Sequence, residues 1–187
     1  RAPLGEYRGG LGGVACSPDG KTLASGVIGS PGGGDLYQVK LWDVASGKVR
    51  ATLEVENLFV ESVAFSPDGK TLASLNDGDV KLWDLATNKE RATLRGHTKE
   101  DKETSEPASG IESVAFSTDG KTLAAATGRD MTVKVWDVAT AKRSTLAGHT
   151  HAVYCVAISS DSKTLASASG DKTVRLWDLA TGKERAT

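Results

Sequence analysis

The sequence lacks several features that mark particular classes of protein. It has only two cysteines, without the paired spacing of a disulfide framework or a zinc site. Its 23 basic and 24 acidic side chains give a net charge of −1, so the basic excess of a nucleic-acid-binding surface is missing. No apolar run approaches the roughly 20 residues that span a bilayer, and no signal-peptide pattern opens the chain. We therefore expect neither nucleic-acid binding nor membrane insertion.

Motifs for catalysis and cofactor binding are also missing. The sequence has no nucleophile elbow, no phosphate-binding glycine loop before a helix, and no metalloprotease helix. Its three histidines are His97, His149 and His151, and the i, i+2 spacing of the last two is a weak metal signal. We therefore expect no catalytic residues, no metal site and no cofactor.

The two cysteines lie inside apolar runs, at 14–16 and 154–156. A free cysteine in such a run usually packs as a small apolar side chain. We therefore predict that Cys16 and Cys155 are buried thiols. Unpaired thiols fit a reducing compartment, and we expect the protein to be cytoplasmic.

Internal repetition is what the sequence has in abundance. Trp-Asp dipeptides recur at spacings of 41, 53 and 41 residues, beginning at Trp42, Trp83, Trp136 and Trp177. A turn motif followed by Thr-Leu-Ala precedes each dipeptide. It reads Ser-Pro-Asp-Gly-Lys twice, Ser-Thr-Asp-Gly-Lys once and Ser-Asp-Ser-Lys once, at 17–21, 66–70, 117–121 and 160–163. Two elements that recur in the same order four times define four repeats.

Each repeat predicts four short strands, as the second copy illustrates. The unbroken apolar run 63–65 suits a buried strand, and the Pro-Asp-Gly element in 66–70 is typical of a tight turn. The segment 71–74 predicts a second strand. Alternating Lys and apolar residues in 80–84 predict a third and more exposed strand, and 89–94 a fourth. Helix signals are absent, so the sequence predicts an all-β fold of four-stranded antiparallel units.

These units resemble the tryptophan-aspartate (WD) repeat over essentially the whole chain, and the near-identity of the copies resembles repeat arrays of bacterial proteins. The resemblance implies one β-propeller domain, residues 1–187, with four blades present as a segment of a seven- or eight-bladed ring. An alternative is that two copies close an eight-bladed ring. Open blade ends would also promote self-association. The predicted bounds are 1–4 for an outer strand of a preceding or closing blade, then 10–54, 57–95, 110–147 and 151–187 for the blades.

The resemblance further implies a buried hydrogen-bonded set in each blade, made from a His, a Ser, an Asp and the Trp. Blade four has all four members, with Ser169 as a second candidate for the Ser, whereas Ala125 replaces the Ser in blade three. We expect a strong network in blade four, a weaker one in blade three, and a largely missing one in blades one and two. Because the set recurs once per blade, we predict that it is structural rather than catalytic. Its members are His149, Ser167, Asp171, Trp177, His97, Asp130, Trp136, Asp77, Trp83 and Trp42.

Differences in length between the copies point to a binding surface. The connections 27–36 and 98–110 are longer than their counterparts, and antiparallel topology places both at the same end of the blades. The family resemblance identifies this end as the top face. We predict a non-catalytic scaffold that binds proteins or peptides there. The alternatives are a regulatory appendage of a larger bacterial signalling enzyme and, less favoured, an enzyme in its own right. The candidate partner-binding rim is Tyr7, Arg8, Tyr37, Phe59, Arg129, His151 and Tyr154.

Overall fold

The computed structural model describes residues 11–28, 37–55, 60–76, 79–96, 113–128 and 130–187. These residues form sixteen strands. None of them belongs to a helix long and apolar enough to cross a membrane. The strands are β1 (Leu11–Cys16), β2 (Thr22–Ile28), β3 (Tyr37–Asp43), β4 (Val49–Val55), β5 (Ser62–Phe65), β6 (Thr71–Asn76), β7 (Asp79–Asp84), β8 (Lys89–Leu94), β9 (Val114–Phe116), β10 (Thr122–Thr127), β11 (Thr132–Asp137), β12 (Arg143–Ala147), β13 (Val153–Ile158), β14 (Thr164–Ser169), β15 (Val174–Asp178) and β16 (Glu184–Ala186).

The strands form four sheets of four strands, with the orders β1–β4, β5–β8, β9–β12 and β13–β16. In the fourth sheet, for example, Leu165 of β14 lies opposite Ile158 of β13 and opposite Trp177 of β15, in antiparallel register. The predicted all-β fold of four-stranded antiparallel units is therefore confirmed. We call the sheets blades one to four.

The Pro-Asp-Gly motif forms the turn between the first two strands of a blade. In blade one, Asp19 accepts hydrogen bonds from the Ser17 hydroxyl at 2.6 Å and from the Lys21 amide at 3.0 Å. These bonds lower the pKa of the Asp19 carboxyl. Gly20 takes a φ of +68°, which favours glycine. The same Ser–Asp bond recurs in the other three blades, at Ser66–Asp68, Ser117–Asp119 and Ser159–Asp161.

Each blade has two faces, because successive side chains of a strand point to opposite sides of the sheet. In blade four, one face carries Val156 and Trp177, and we call it the tryptophan face. The other carries Ala166, Val174 and Leu176, and we call it the alanine face. The equivalent tryptophan-face residues are Val14 and Trp42, Val63 and Trp83, and Val114 and Trp136, and the equivalent alanine-face residues are Ala24 and Val39, Ala73 and Val80, and Ala124 and Val133.

The chain divides into two compact units, residues 1–77 with 81–93 and residues 78–80 with 94–187. In the first unit, the alanine face of blade one packs on the tryptophan face of blade two. In the second unit, the alanine face of blade three packs on the tryptophan face of blade four. The core of the first unit includes Ala24, Val39, Leu41, Val63, Leu72 and Trp83, and that of the second includes Ala124, Val133, Val135, Val156, Leu165 and Trp177.

The prediction that both cysteines are buried is wrong, because both thiols are exposed. Cys16 lies on the tryptophan face of blade one, in register with Trp42. Cys155 lies on the alanine face of blade four, in register with Val174. Val174 and Leu176 beside Cys155 are exposed as well, whereas on the face of Cys16 the neighbouring Val14 is exposed but Trp42 is buried. An apolar run identifies a strand, but it does not say which of the strand's two faces meets a neighbouring sheet.

Candidate functional site

The polar set of blade four is built around a buried indole. Trp177 lies on β15, and its Nε1 donates a hydrogen bond of 2.8 Å to the hydroxyl of Ser167 on β14. Ser167 lies opposite Arg175, which is two residues before Trp177 on β15. Because side chains two residues apart on a strand share a face, Ser167 and Trp177 both point to the tryptophan face. A buried indole N–H needs an acceptor, and the serine hydroxyl provides it.

His149 continues the hydrogen-bonded set. Its Nε2 lies 2.8 Å from the Ser167 hydroxyl, and its Nδ1 lies 2.7 Å from a carboxylate oxygen of Asp171. A carboxylate can only accept, so Nδ1 carries a proton, and in the neutral imidazole Nε2 then accepts from Ser167. The imidazole also contacts the Trp177 indole edge-on, with ring centroids 6.3 Å apart.

Asp171 ends the set. Its carboxylate accepts from the Thr150 amide at 3.1 Å, and from the Thr173 amide at 2.9 Å and hydroxyl at 2.7 Å. Burial by itself raises the pKa of Asp171, but the hydrogen bonds from Thr173, His149 and Thr150 outweigh it and hold the pKa well below its usual range. The carboxylate therefore remains ionised and keeps its donors in place.

The set joins two loops at one end of blade four, 148–152 and 170–173. Backbone and side-chain bonds add to the joint: the Gly170 amide donates to the Ala152 carbonyl at 2.9 Å, and the Ser169 hydroxyl donates to the His151 carbonyl at 2.9 Å. The exposed side chains of His151 and Tyr154 lie beside the joint, and the Tyr154 ring covers Gly170 so closely that a Cβ there would lie 2.8 Å from the phenol oxygen. We call the two loops together with Tyr154 the blade-four platform.

Ser167, His149 and Asp171 have the mutual arrangement of a nucleophile, a base and an orienting carboxylate. However, Ser167 is only 1% exposed, and its oxygen already accepts from Trp177. As placed, the hydroxyl cannot reach a substrate in solvent. The arrangement instead satisfies the polar groups of a buried cluster.

Blades one and two retain more of the set than we expected. The Trp42 indole donates to the Ser25 hydroxyl at 3.0 Å, and the Trp83 indole donates to the Ser74 hydroxyl at 2.9 Å. Ser74 in turn donates to the Asn76 side chain at 2.9 Å. The prediction that the network is largely missing from blades one and two is therefore wrong for the Trp–Ser hydrogen bond. This bond forms in both blades without the His and the Asp of the full set. The predicted members Asp77 and His97 lie outside the described residues.

Blade three has a different polar cluster around Asp130. This carboxylate accepts from the Thr132 hydroxyl at 2.6 Å, from the Thr127 hydroxyl, and from the Lys134 ammonium at 2.5 Å. Burial raises the pKa of Asp130, but these partners outweigh it and the pKa is lowered. Lys134 is itself buried, although its alternating strand predicts exposure. Trp136 is buried, and Ala125 offers it no hydroxyl where Trp177 finds Ser167.

The predicted rim is only partly described. His151 and Tyr154 lie together on the blade-four platform, whereas the half-buried Tyr37 packs against the core of the first unit. The remaining rim residues, Tyr7, Arg8, Phe59 and Arg129, lie outside the described residues, as do most of the two long connections. Within the described ranges, no group of three or more His, Cys, Asp or Glu side chains could hold a metal ion.

Comparison with known proteins identifies relatives of the repeats. The family model described as "WD domain, G-beta repeat" matches residues 47–84, 88–137 and 141–178. The Notchless protein homolog of Arabidopsis thaliana is 68% identical over 37 residues, which cover 20% of this chain and 8% of that protein. The MST50-interacting protein 11 of Pyricularia oryzae is 38% identical over 78 residues, which cover 38% of this chain and 25% of that protein.

A third relative is the guanine nucleotide-binding protein subunit beta of Schizosaccharomyces pombe, 43% identical over 75 residues, which cover 40% of this chain and 24% of that protein. The chain thus matches between 8% and 25% of the length of these three relatives. The family model matches more than half of the chain, and the four-stranded sheets have the strand order that propeller blades require. The chain belongs to the WD-repeat family.

Proposed function

We propose that the chain is a non-catalytic scaffold that binds other proteins or peptides, and that the blade-four platform is one of its binding surfaces. The observation that carries this proposal is the joint between the two platform loops. The buried hydrogen bonds of His149, Ser167 and Asp171 hold the two platform loops together. The side chains of His151 and Tyr154 on the same platform remain exposed to solvent. A surface that is rigid before binding loses little conformational entropy when a partner docks, and tyrosine is a frequent anchor of interfaces.

The relatives support a binding role through what they are called. One is a subunit of a guanine nucleotide-binding protein, and another is an MST50-interacting protein. Both names describe proteins that associate with others. None of the three relatives above is named as a bacterial signalling enzyme, so the alternative of a regulatory appendage to such an enzyme gains no support from them.

The proposal can be tested with a displayed library of random peptides selected against the 187-residue chain. We expect enriched peptides whose affinity falls by about tenfold or more in Tyr154→Ala, because a hot-spot tyrosine contributes about 2 kcal/mol. His151→Ala should weaken the same peptides by less. The matched control is Lys183→Ala, an exposed position in the turn at the opposite end of blade four, which should leave binding unchanged.

A second variant separates the platform from its supporting set. Ser167→Ala keeps both exposed side chains but removes the hydroxyl that joins Trp177 to His149. We expect this variant to remain folded at room temperature and to bind the selected peptides more weakly, with the loss mainly in the dissociation rate. Enrichment of no peptide, or peptides that bind Tyr154→Ala and Lys183→Ala equally well, would contradict the proposed surface.

A further inference from the structure

A groove lies between the Pro-Asp-Gly turns of blades one and two, inside the first unit. It encloses about 390 Å³, a volume in the range of known ligand pockets. Arg50 and Thr22 contribute polar groups to its lining. Its apolar lining comes from both turns and from the strands beside them: Pro18, Leu41, Phe65, Pro67 and Leu85. We call this space the inter-turn groove.

The matching junction in the second unit, between blades three and four, is divided into two smaller spaces. One encloses about 330 Å³ and contains Arg143, the other encloses about 320 Å³ and contains Ser162, and Leu179 lines both. The turn residues 117–119 of blade three line neither space, whereas their counterparts 17–19 line the inter-turn groove. One continuous groove in the first unit thus corresponds to two separate openings in the second.

A hydrogen bond between turns explains this division. The Thr118 hydroxyl of blade three donates to the Ser160 carbonyl of blade four at 2.7 Å, and it lies 2.8 Å from the Ser162 hydroxyl. The counterparts of Thr118 and Ser162 in the first unit are Pro18 and Gly69, which have no hydroxyl group. These two hydrogen bonds cannot form between blades one and two, and the inter-turn groove therefore stays open.

Arg50 brings an unpaired positive charge to the groove. Its Nη1 donates to the Thr22 hydroxyl at 3.4 Å, and among the residues that the structure describes no carboxylate forms an ion pair with it. The equivalent Arg185 of blade four donates to the matching Thr164 hydroxyl at 3.0 Å, and it also pairs with Asp178. Because a guanidinium binds a carboxylate through two parallel hydrogen bonds, Arg50 is suited to an acidic ligand.

Three aspartates also line the groove, and each is held by its own turn. Asp19 and Asp68 each accept from a serine hydroxyl and a lysine amide, and Asp84 accepts from the amide and the hydroxyl of Thr87. These bonds lower the pKa of all three carboxyls, which therefore stay ionised at neutral pH. Their negative charges restrict an anionic ligand group to the part of the groove beside Arg50.

From this lining we infer that the inter-turn groove binds a peptide segment of a protein partner, in which an apolar side chain lies next to an Asp or Glu. The apolar side chain contacts Pro18, Pro67 and Phe65, and the carboxylate binds the Arg50 guanidinium. That the partner is a protein rests on the proposed scaffold function. The groove itself is independent of the blade-four platform.

A displayed library of random peptides tests this inference when it is selected on the Tyr154→Ala chain, which lacks the tyrosine of the platform. We expect enriched peptides that combine an apolar residue with an adjacent Asp or Glu. Their affinity should fall by about tenfold or more in Arg50→Ala, and further in Arg50→Glu, because a charge-assisted contact is lost. The matched control is Arg91→Ala, the equivalent exposed arginine of blade two outside the groove, which should leave binding unchanged.

A second variant closes the groove and leaves Arg50 in place. The double substitution Pro18→Thr with Gly69→Ser copies the residues at 118 and 162, and should form the hydrogen bonds that divide the second unit's junction. Position 69 has room for a side chain, since a Cβ there would lie 3.8 Å from Pro18 Cδ, and Ser162 adopts a similar positive φ of 57°. We expect this variant to remain folded by circular dichroism and to bind the selected peptides at least about tenfold more weakly.

The outcomes separate this inference from the proposed platform. Peptides that bind Arg50→Ala as tightly as the wild type, or that carry Lys or Arg in place of the acidic residue, would overturn the inference. Undiminished binding to the double variant would also overturn it. If selection on Tyr154→Ala enriches no peptide while selection on the wild type does, the platform stands and the groove is not a binding site.

Discussion

Blade one and blade four have the same four-stranded architecture, yet they are stabilised by different interactions near their first strands. Blade one approaches its neighbour through glycine: the Gly13 amide donates to the Glu61 carbonyl at 3.1 Å, and a Cβ on Gly12 would lie 1.8 Å from the Val60 carbonyl oxygen. Blade four has Tyr154 at the matching position, and its side chain is exposed. Close backbone contact stabilises one blade, and a side-chain network stabilises the other.

The two blades also treat the buried tryptophan differently. In blade one, the Trp42 indole donates to Ser25. In blade four, the Trp177 indole donates to the Ser167 hydroxyl. The same hydroxyl is hydrogen-bonded to His149, which lies in a neighbouring loop. The Trp–Ser pair is thus the common part of the template. The partners beyond the serine decide whether the blade also fixes a surface loop.

The largest expected effect comes from Gly12→Ala. The added methyl group would force the first strands of blades one and two apart, and we expect the free energy of unfolding to fall by about 3 kcal/mol or more. Urea denaturation measures this loss. The matched control is Tyr154→Ala, which we expect to cost less than about 1 kcal/mol because that position is 44% exposed. Equal losses at the two positions would mean that the glycine contact is not what distinguishes the blades.

The next effect concerns the two serines. Ser167→Ala removes a partner from both Trp177 and His149, and we expect a loss of about 2–3 kcal/mol. Ser25→Ala removes the hydroxyl that accepts from the Trp42 indole, and should cost about 1 kcal/mol. Urea denaturation of the two variants under identical conditions provides the comparison. A larger loss for Ser25→Ala than for Ser167→Ala would contradict the view that blade four depends more on its network.

Blade three allows the reverse experiment. Ala125 occupies the place of Ser167 and is fully buried between β9 and β11. Ala125→Ser would give the Trp136 indole the acceptor that Trp177 has, and we expect the free energy of unfolding to rise by about 0.5–1 kcal/mol. Thermal unfolding measures the change, with Ala124→Ser on the opposite face as a control that should destabilise. A loss of stability in Ala125→Ser would show that the hydroxyl finds no acceptor or donor there.

The sequence predicted the repeats, the strand order of each blade and the members of the blade-four set, because each of these depends on local spacing. It did not predict the exposure of Cys16 and Cys155, since the same apolar run is covered in one blade and open in another. The burial of Lys134 was not predicted either. Strand alternation indicates which face a side chain lies on, but it does not indicate the ion pair with Asp130 that accompanies burial of Lys134. Ser25 and Ser74 could have been found by aligning the second strands of all four copies with Ser167.

The smallest expected effect concerns the Asp of the Trp-Asp pair, which caps the following turn in both blades. In blade four, Arg185 and then the Thr181 amide and hydroxyl lower the pKa of Asp178 to about 2. In blade one, the hydroxyl and amide of Ser46 lower the pKa of Asp43. A carboxyl whose pKa is lowered by folding stabilises the fold above its unfolded pKa of about 3.9, and this contribution is lost as the pH falls through the folded value.

Asp178→Asn and Asp43→Asn should therefore both lower stability at pH 7, and both variants should approach the wild type as the pH falls from about 4 towards 2. Salt separates them. The principal partner of Asp178 is a guanidinium on an exposed pair, so its contribution should shrink in about 1 M salt, where the screening length is about 3 Å. The principal partner of Asp43 is a neutral hydroxyl, which salt screens far less. Urea denaturation at low and high salt measures both, and an equal salt dependence would mean that Arg185 adds nothing to the turn of blade four.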